Sequence, residues 1–154
     1  MTTTAREFSI SVRTANSYRL ALHDLRKALK RNGFEILSEL TLDREIERKV
    51  GMPCEQCTVF VVWSRSDAYK ALLSDRDGGL LVPFNLCVSE DGDSAVLAAT
   101  NHHLSLSAGH APIGIQVLLR DLARRIRQVL AELAASKEAF SQQSAEQTKE
   151  ACLL

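Results

Sequence analysis

The segment from Asp77 to Thr100 constrains the fold of this chain more than any other feature. It holds two apolar runs on either side of Glu90-Asp91-Gly92-Asp93, and Asp-Gly between such runs is a strong signal for a β-hairpin. The first run alternates, so its side chains divide between two faces of a strand. One face takes Val82, Phe84, Leu86 and Val88, and the other takes Leu81, Pro83, Asn85 and Cys87. Helices are needed to cover the apolar face of such a hairpin.

The rest of the chain alternates between strand and helix patterns. The first predicted elements are a strand at Phe8–Val12 and a helix that is capped by Asn16 or Ser17 and ends at Asn32-Gly33. A strand at Phe34–Leu40 and a short helix at Leu42–Val50 come next. They are followed by a central strand at Thr58–Trp63 and by a helix at Asp67–Leu73 that is capped by Ser66. The hairpin and a long C-terminal helix follow. This order predicts an α+β two-layer sandwich, with a mostly antiparallel sheet covered on one face by helices.

The long C-terminal helix is predicted from Pro112 and the apolar stripe behind it. Residues at helical spacing from Ile115 to Leu133 share one face for about five turns. From Ser136 onward Lys, Glu, Ser and Gln dominate, a composition typical of flexible tails. We therefore expect a single α+β domain over 1–135 and a polar, flexible tail over 136–154.

Composition narrows the classes of function. The 154 residues carry 19 Lys and Arg against 19 Asp and Glu, so no overall field favours nucleic acid or an anionic membrane. No apolar run is long enough to span a bilayer, and the first residues lack the pattern of a secretory signal. We expect a cytoplasmic protein whose four cysteines are thiols.

One short motif has a chemical precedent, Cys54-Glu55-Gln56-Cys57. Two thiols at this spacing can chelate zinc or form a redox disulfide. Zinc would need further ligands, for which His102, His103, His110 and Cys87 are the candidates. Against a redox role, the motif precedes a strand instead of a helix N-terminus. The simpler interpretation is two unrelated cysteines and a loop of solvated histidines.

The hairpin offers a second candidate site, at the face of its first strand that carries Asn85 and Cys87. A polar amide between Pro83 and Cys87 must be solvated or hydrogen-bonded, so this face is either a groove, a subunit contact or the wet face of the sheet. Trp63 can stack on a ligand, although a tryptophan at a strand end is more often core or interface. Asn85, Cys87 and Trp63 are the ligand-binding candidates.

Several segments resemble the domain-of-unknown-function family 302. They are Asn32 to Leu37, Val59 to Trp63, Asp67 to Leu73, and Leu81 to Val88 followed by Glu90-Asp91-Gly92. The resemblance implies a compact α+β domain similar to the TATA-binding-protein-like arrangement, and a homodimer. It implies no reaction. Where the family often has a Gly- or Cys-Asn-Pro turn, this chain has Ser64-Arg65-Ser66.

No phosphate loop, nucleophile elbow or carboxylate pair is present in the sequence, and no cofactor is indicated. The sequence therefore favours a non-enzymatic domain that self-associates and binds a small ligand between the sheet and the long helix. The alternative is a thiol-redox or metal-binding protein that uses Cys54 and Cys57 with the loop histidines. Nucleic-acid binding is a third class, which the balanced charge disfavours.

Overall fold

A six-stranded antiparallel sheet and a layer of helices make up this computed structural model, which describes residues 3–6, 8–102 and 111–151. The strands are β1 (Thr3–Ala5), β2 (Ser9–Thr14), β3 (Glu35–Thr41), β4 (Cys57–Trp63), β5 (Phe84–Asp91) and β6 (Ser94–Thr100). The helices are α1 (Tyr18–Arg31), α2 (Leu42–Val50), α3 (Arg65–Ser74) and α4 (Ile113–Ala151), with a 3₁₀ helix at Arg76–Leu80. The strand order is β1-β2-β6-β5-β4-β3. The predicted two-layer α+β sandwich is confirmed.

The predicted hairpin is β5 and β6, which lie at the centre of the sheet. Asp91 pairs with Ser94, so the turn itself is Gly92-Asp93. Gly92 has φ of +59°, and a positive φ at the first turn residue is what a type II′ turn requires. The strand begins at Phe84, directly after Pro83, because proline has no N–H to donate to a strand ladder.

The core lies between the sheet and the helices. From the sheet it receives side chains such as Ile10, Phe60, Phe84 and Leu97, all nearly inaccessible to solvent. Helix α1 contributes Leu25 and Leu29. Helix α4 contributes the predicted stripe of Ile115, Leu118, Leu122, Ile126, Val129 and Leu133, together with Leu119 and Leu130, which the prediction did not include. Since burial of one such side chain is worth about 1.5–3 kcal/mol, this layer supplies most of the stabilising free energy.

Helix α4 is longer than its apolar stripe. It continues to Ala151, through most of the segment 136–154 that the sequence assigns to a tail. The division of the chain at residue 135 stays a prediction. Among the residues that the structure describes, no helix combines the length and apolarity that a membrane crossing requires.

Other local predictions need correction. Strand β1 is not apparent in the sequence, because three residues are too few to show a period. Helix α3 begins at Arg65 with Ser64 as its N-cap, and the Ser66 hydroxyl lies 3.1 Å from that of Ser64 instead of capping the helix. Helix α2 has the predicted bounds but buries none of its residues fully.

His102 does not belong to a solvated loop, as the sequence suggests. It follows β6 with only 5% of its surface exposed, and its Nδ1 lies 3.2 Å from the carbonyl oxygen of Thr100. Its ring meets that of Phe84 edge-on, with the centroids 5.8 Å apart. Burial lowers the pKa of His102 because it disfavours the charged imidazolium.

A buried ion pair ties α3 to α4. The Asp67 carboxylate, 4% exposed, accepts a hydrogen bond from the Arg125 guanidinium, 20% exposed. The same guanidinium lies 4.8 Å from the ring centroid of Phe34. Its Nε donates a hydrogen bond to a second carboxylate, that of Asp121, at 3.0 Å. Arg125 is therefore committed to the fold.

We expect Asp67→Asn to lower the free energy of unfolding by about 3 kcal/mol, because it leaves a half-buried guanidinium without its buried partner. The matched control is Asp121→Asn, which removes an exposed carboxylate from the same arginine and should cost less than about 1 kcal/mol. Urea unfolding of both variants measures the difference. Equal costs would show that the buried pair has no special role.

Stability should also fall as the pH drops below neutrality. The folded-state pKa of His102 lies below its unfolded value of about 6.5, so the unfolded state takes up the proton first. The stabilisation is complete above that value and is lost as the pH falls below it toward the folded pKa. His102→Gln should flatten the slope between about pH 7 and pH 5, whereas His23→Gln, at an exposed position of α1, should not. Urea midpoints across this range test it, and an unchanged slope in His102→Gln would contradict it.

Candidate functional site

The candidate site lies on the sheet face opposite the core, which we call the open face. Its side chains alternate with the buried ones along every central strand. One row crosses all six strands, because each residue pairs with the next across the ladder. In strand order the row is Thr4, Ser11, Ala98, Cys87, Val59 and Leu40.

The two central rows of the open face hold no charged side chain. An antiparallel sheet with one wet face normally carries polar side chains on that face. The central row has no charged residue, and the next row, formed by Ser9, Thr100, Asn85, Val61 and Ser38, has none either. Val59 and Val61 are half-buried, and Leu40 is 49% exposed. The sequence correctly marks β4 as apolar on both faces, but only one of these faces is covered by core.

A shallow depression of about 290 Å³ lies in the middle of this face. It is lined by Phe8, Ser9, Val59, Asn85, Cys87, Ala98, Ala99 and Thr100. The lining is apolar apart from an amide, hydroxyls and one thiol, and none of its side chains is charged. Asn85 and Cys87 thus lie together in a concave surface, as the sequence proposes, and their role in binding a ligand stays a prediction.

A pair of thiols lies at one side of the depression. Sγ of Cys57 on β4 is 3.2 Å from Sγ of Cys87 on β5. The two residues are diagonal neighbours, since Val59 is directly opposite Cys87 and Cys57 is opposite Ser89. The Ser89 hydroxyl lies 3.6 Å from Sγ of Cys87 and 3.7 Å from Sγ of Cys57. We call these three residues the thiol cluster.

The surroundings of Cys57 keep it protonated. Burial raises the pKa of its thiol to about 11, and the neighbouring Cys87 thiol contributes to the rise. Asp43 of α2 accepts a hydrogen bond from the Cys57 backbone N–H at 3.1 Å, which places a carboxylate near the sulfur and disfavours the thiolate further. Cys57 is therefore a weak nucleophile at neutral pH, because the thiolate is the reactive form.

The remaining candidates lie apart from this cluster. Cys54 is an exposed free thiol. His102 packs against Phe84 on the core side of the sheet, so the sheet separates it from Cys57 and Cys87. His103 and His110 fall outside the described residues. Within the ranges that the structure describes, no three His, Cys, Asp or Glu side chains are grouped as a metal site.

Trp63 lies at the other end of β4 from Cys57. The depression is lined by Asn85 and Cys87 but not by Trp63, although Trp63 is only two residues along β4 from Val61, which pairs with Asn85. Its indole Nε1 is buried, and no described group accepts a hydrogen bond from it. The structure thus places Asn85 and Cys87 together in the depression and Trp63 outside its lining.

The sequence did not identify the contact between Cys57 and Cys87. Their separation of thirty residues carries no local motif, and only the register of β4 against β5 brings them together. The available signal was the alternation of each strand, which places Cys57 in phase with Val59 and Cys87 in phase with Asn85. Pairing the two strands in register was the missing step.

Comparisons with known proteins agree with the resemblance and with the fold. No curated protein matches the chain. Among solved structures, the crystal structure of an uncharacterized conserved DUF302 protein from Bacillus stearothermophilus is similar, with a TM-score of 0.75 and 16% identity. The likeness covers 83% of this chain and 99% of that one, and at this identity it shows the fold alone. The TATA-binding-protein-like arrangement stays a prediction. Residues 10–133 match the family described as "Domain of unknown function DUF302", and the chain therefore belongs to this family.

Proposed function

We propose that this protein is a non-enzymatic cytoplasmic domain whose open face forms a homodimer and, in the monomer, binds a small uncharged ligand. The single observation that carries the proposal is that the two central rows hold no charged side chain, with Val59, Val61, Ala98 and Leu40 set among small hydroxyl and amide side chains. Exposed apolar side chains that lie together on a surface are typical of an interaction site. Exposed thiols such as Cys54 fit a reducing compartment.

A second copy of the chain is the partner that this face fits best. Two sheets stack face to face about 10 Å apart when their facing side chains are apolar and small enough to interdigitate. The central row offers such side chains, with Ser11 and Ala98 beside the larger Val59 and Leu40. The face carries no net charge that would repel an identical surface. A twofold dimer would then have the layers helix, sheet, sheet, helix.

The size of the face sets the expected strength of the dimer. Six strands about 4.8 Å apart and about six residues long present roughly 500 Å². Two copies would bury about 1,000 Å² in total, which is the lower limit for a specific interface. We therefore expect a weak dimer whose population depends on protein concentration.

The ligand-binding part of the proposal rests on the depression beside Asn85. Its volume of about 290 Å³ is close to the lower end of small-molecule sites. The Asn85 side chain is exposed within an apolar lining, so it can orient a ligand by hydrogen bonds while the apolar lining supplies contact area. Because the space between the sheet and α4 is filled by core side chains, we place the ligand on the open face instead.

The first test of this proposal is the oligomeric state. Sedimentation velocity should show a monomer–dimer equilibrium across the micromolar range, and Val59→Lys should weaken it at least tenfold by placing an uncompensated charge at the centre of the contact. The matched control is Leu72→Lys, which puts the same charge on an exposed leucine of α3. A wild-type monomer at all concentrations would contradict the dimer. Loss of the dimer in Leu72→Lys alone would assign the contact to the helix layer.

The second test concerns the ligand. We expect small neutral aromatic fragments to shift the NMR signal of the Asn85 side-chain amide, because the depression takes an uncharged occupant. Asn85→Ala should weaken binding of the same fragments about fivefold to tenfold, which corresponds to the loss of one hydrogen bond. Asn32→Ala, which changes an amide at the end of α1, is the control. Fragments that bind both variants equally would show that Asn85 has no part in recognition.

A further inference from the structure

The thiol cluster supports an inference that goes beyond self-association and ligand binding. The contact between Sγ of Cys57 and Sγ of Cys87 is 3.2 Å, and it joins neighbouring strands within one chain. A disulfide bond is about 2.05 Å long, so the sulfurs would have to approach by about 1.2 Å. Closing the bond therefore requires rotation of the two side chains and a local shift of the strands.

We propose that Cys57 and Cys87 are a reversible dithiol–disulfide pair, oxidised by low-molecular-weight disulfides. The geometry of one chain carries this assignment, so it does not rest on the dimer or on the ligand. It differs from the pair Cys54 and Cys57 that the sequence suggests, because the sulfur that contacts Cys57 is that of Cys87.

The reaction starts at Cys87, because this residue lines the depression where a small reagent can arrive. Its thiolate attacks one sulfur of a small disulfide such as oxidised glutathione, and one molecule of small thiolate leaves. Cys57 then loses its proton and attacks Sγ of Cys87, which breaks the mixed disulfide and releases the second small thiolate. The two protons from the protein thiols end on the two released thiolates. The protein loses two electrons, and the small disulfide gains them.

The position of the pair in the sheet makes the disulfide easy to reduce. Diagonal neighbours in an antiparallel pair have Cα atoms about 7–8 Å apart, whereas disulfides favour about 5.5–6 Å. Closing the bond must draw β4 and β5 together locally, and strained disulfides are the labile ones. We expect the pair to respond to the redox state of its surroundings instead of serving as a permanent staple.

Zinc is not favoured as the occupant, because it needs two ligands besides the two thiols. Within the described residues, no three His, Cys, Asp or Glu side chains are grouped so that they could hold a metal ion. Ser89 completes the cluster with a hydroxyl, which can donate a hydrogen bond to a thiolate during the exchange.

The test uses the full chain with Cys54→Ser and Cys152→Ser, which leaves only the proposed pair. After equilibration with mixtures of reduced and oxidised glutathione, exchange is quenched with acid, the protein is denatured, free thiols are alkylated at neutral pH and the intact mass is measured. We expect a species whose mass is lower by two hydrogen atoms and which takes up no alkyl group. Dithiothreitol should reduce this species back to the dithiol. Because the Cys57 thiol has a pKa of about 11, its thiolate fraction rises about tenfold per pH unit between pH 7 and 9, and the step in which Cys57 closes the mixed disulfide should accelerate by the same factor.

Two further variants show whether the assignment of roles is correct. In the same background, Cys57→Ser should stop at a single glutathione adduct on Cys87, because no second thiol can resolve it. Cys87→Ser should react far more slowly, because the remaining Cys57 is a weak nucleophile.

Three results would overturn the assignment: two alkylatable thiols under all mixtures, a stable double adduct, or a disulfide between two chains. Tight zinc binding by the pair in place of oxidation would overturn it as well. The main mass measurement uses a protein that keeps both Cys57 and Cys87, so its result does not depend on whether either serine variant folds.

Discussion

The sheet is covered by core on one face only, and the rest of the structure depends on this constraint. Helices α1 and α4 pack on the face that carries Phe60, Phe84 and Leu97, and α3 is tied to α4 by the Asp67–Arg125 pair. Every side chain that alternates away from that core is left on the open face. Since β4 and β5 carry Val59, Val61 and Cys87 there, the strand pattern that builds the core also leaves apolar side chains on the opposite face.

Local elements of this fold could be predicted because their signals are local. The turn at Gly92, the end of α1 at Asn32-Gly33 and the stripe of α4 each depend on residues within a few positions of one another. The predicted two-layer sandwich followed from their order. What failed locally was equally specific: β1 is too short to show a period, and Ser64 takes the cap position that Ser66 also fits.

The site was harder to predict, because its geometry depends on register between segments far apart in the chain. Asn85 and Cys87 could be placed on one strand face from alternation alone. The partner of Cys57 could not, since the nearby Cys54 is the obvious choice in the sequence, whereas the register of β4 against β5 selects Cys87. The position of His102 was hard to predict for a similar reason. The sequence places it in a polar loop, whereas in the structure it follows β6 and its buried ring packs against Phe84.

The two proposals share one surface, and this has a physical consequence. Cys87 belongs to the central row that a second copy would cover, while Cys57 lies one row away, opposite Ser89. A dimer would shield the Cys87 thiol from small disulfides, because it would close the depression through which they arrive. Oxidation, in turn, would draw β4 toward β5 beside Val59 and change the shape of the surface that the second copy must match. A dithiol that reacts in the monomer and is protected in the dimer would couple the redox state of the pair to self-association, because each state would favour one form of the same face.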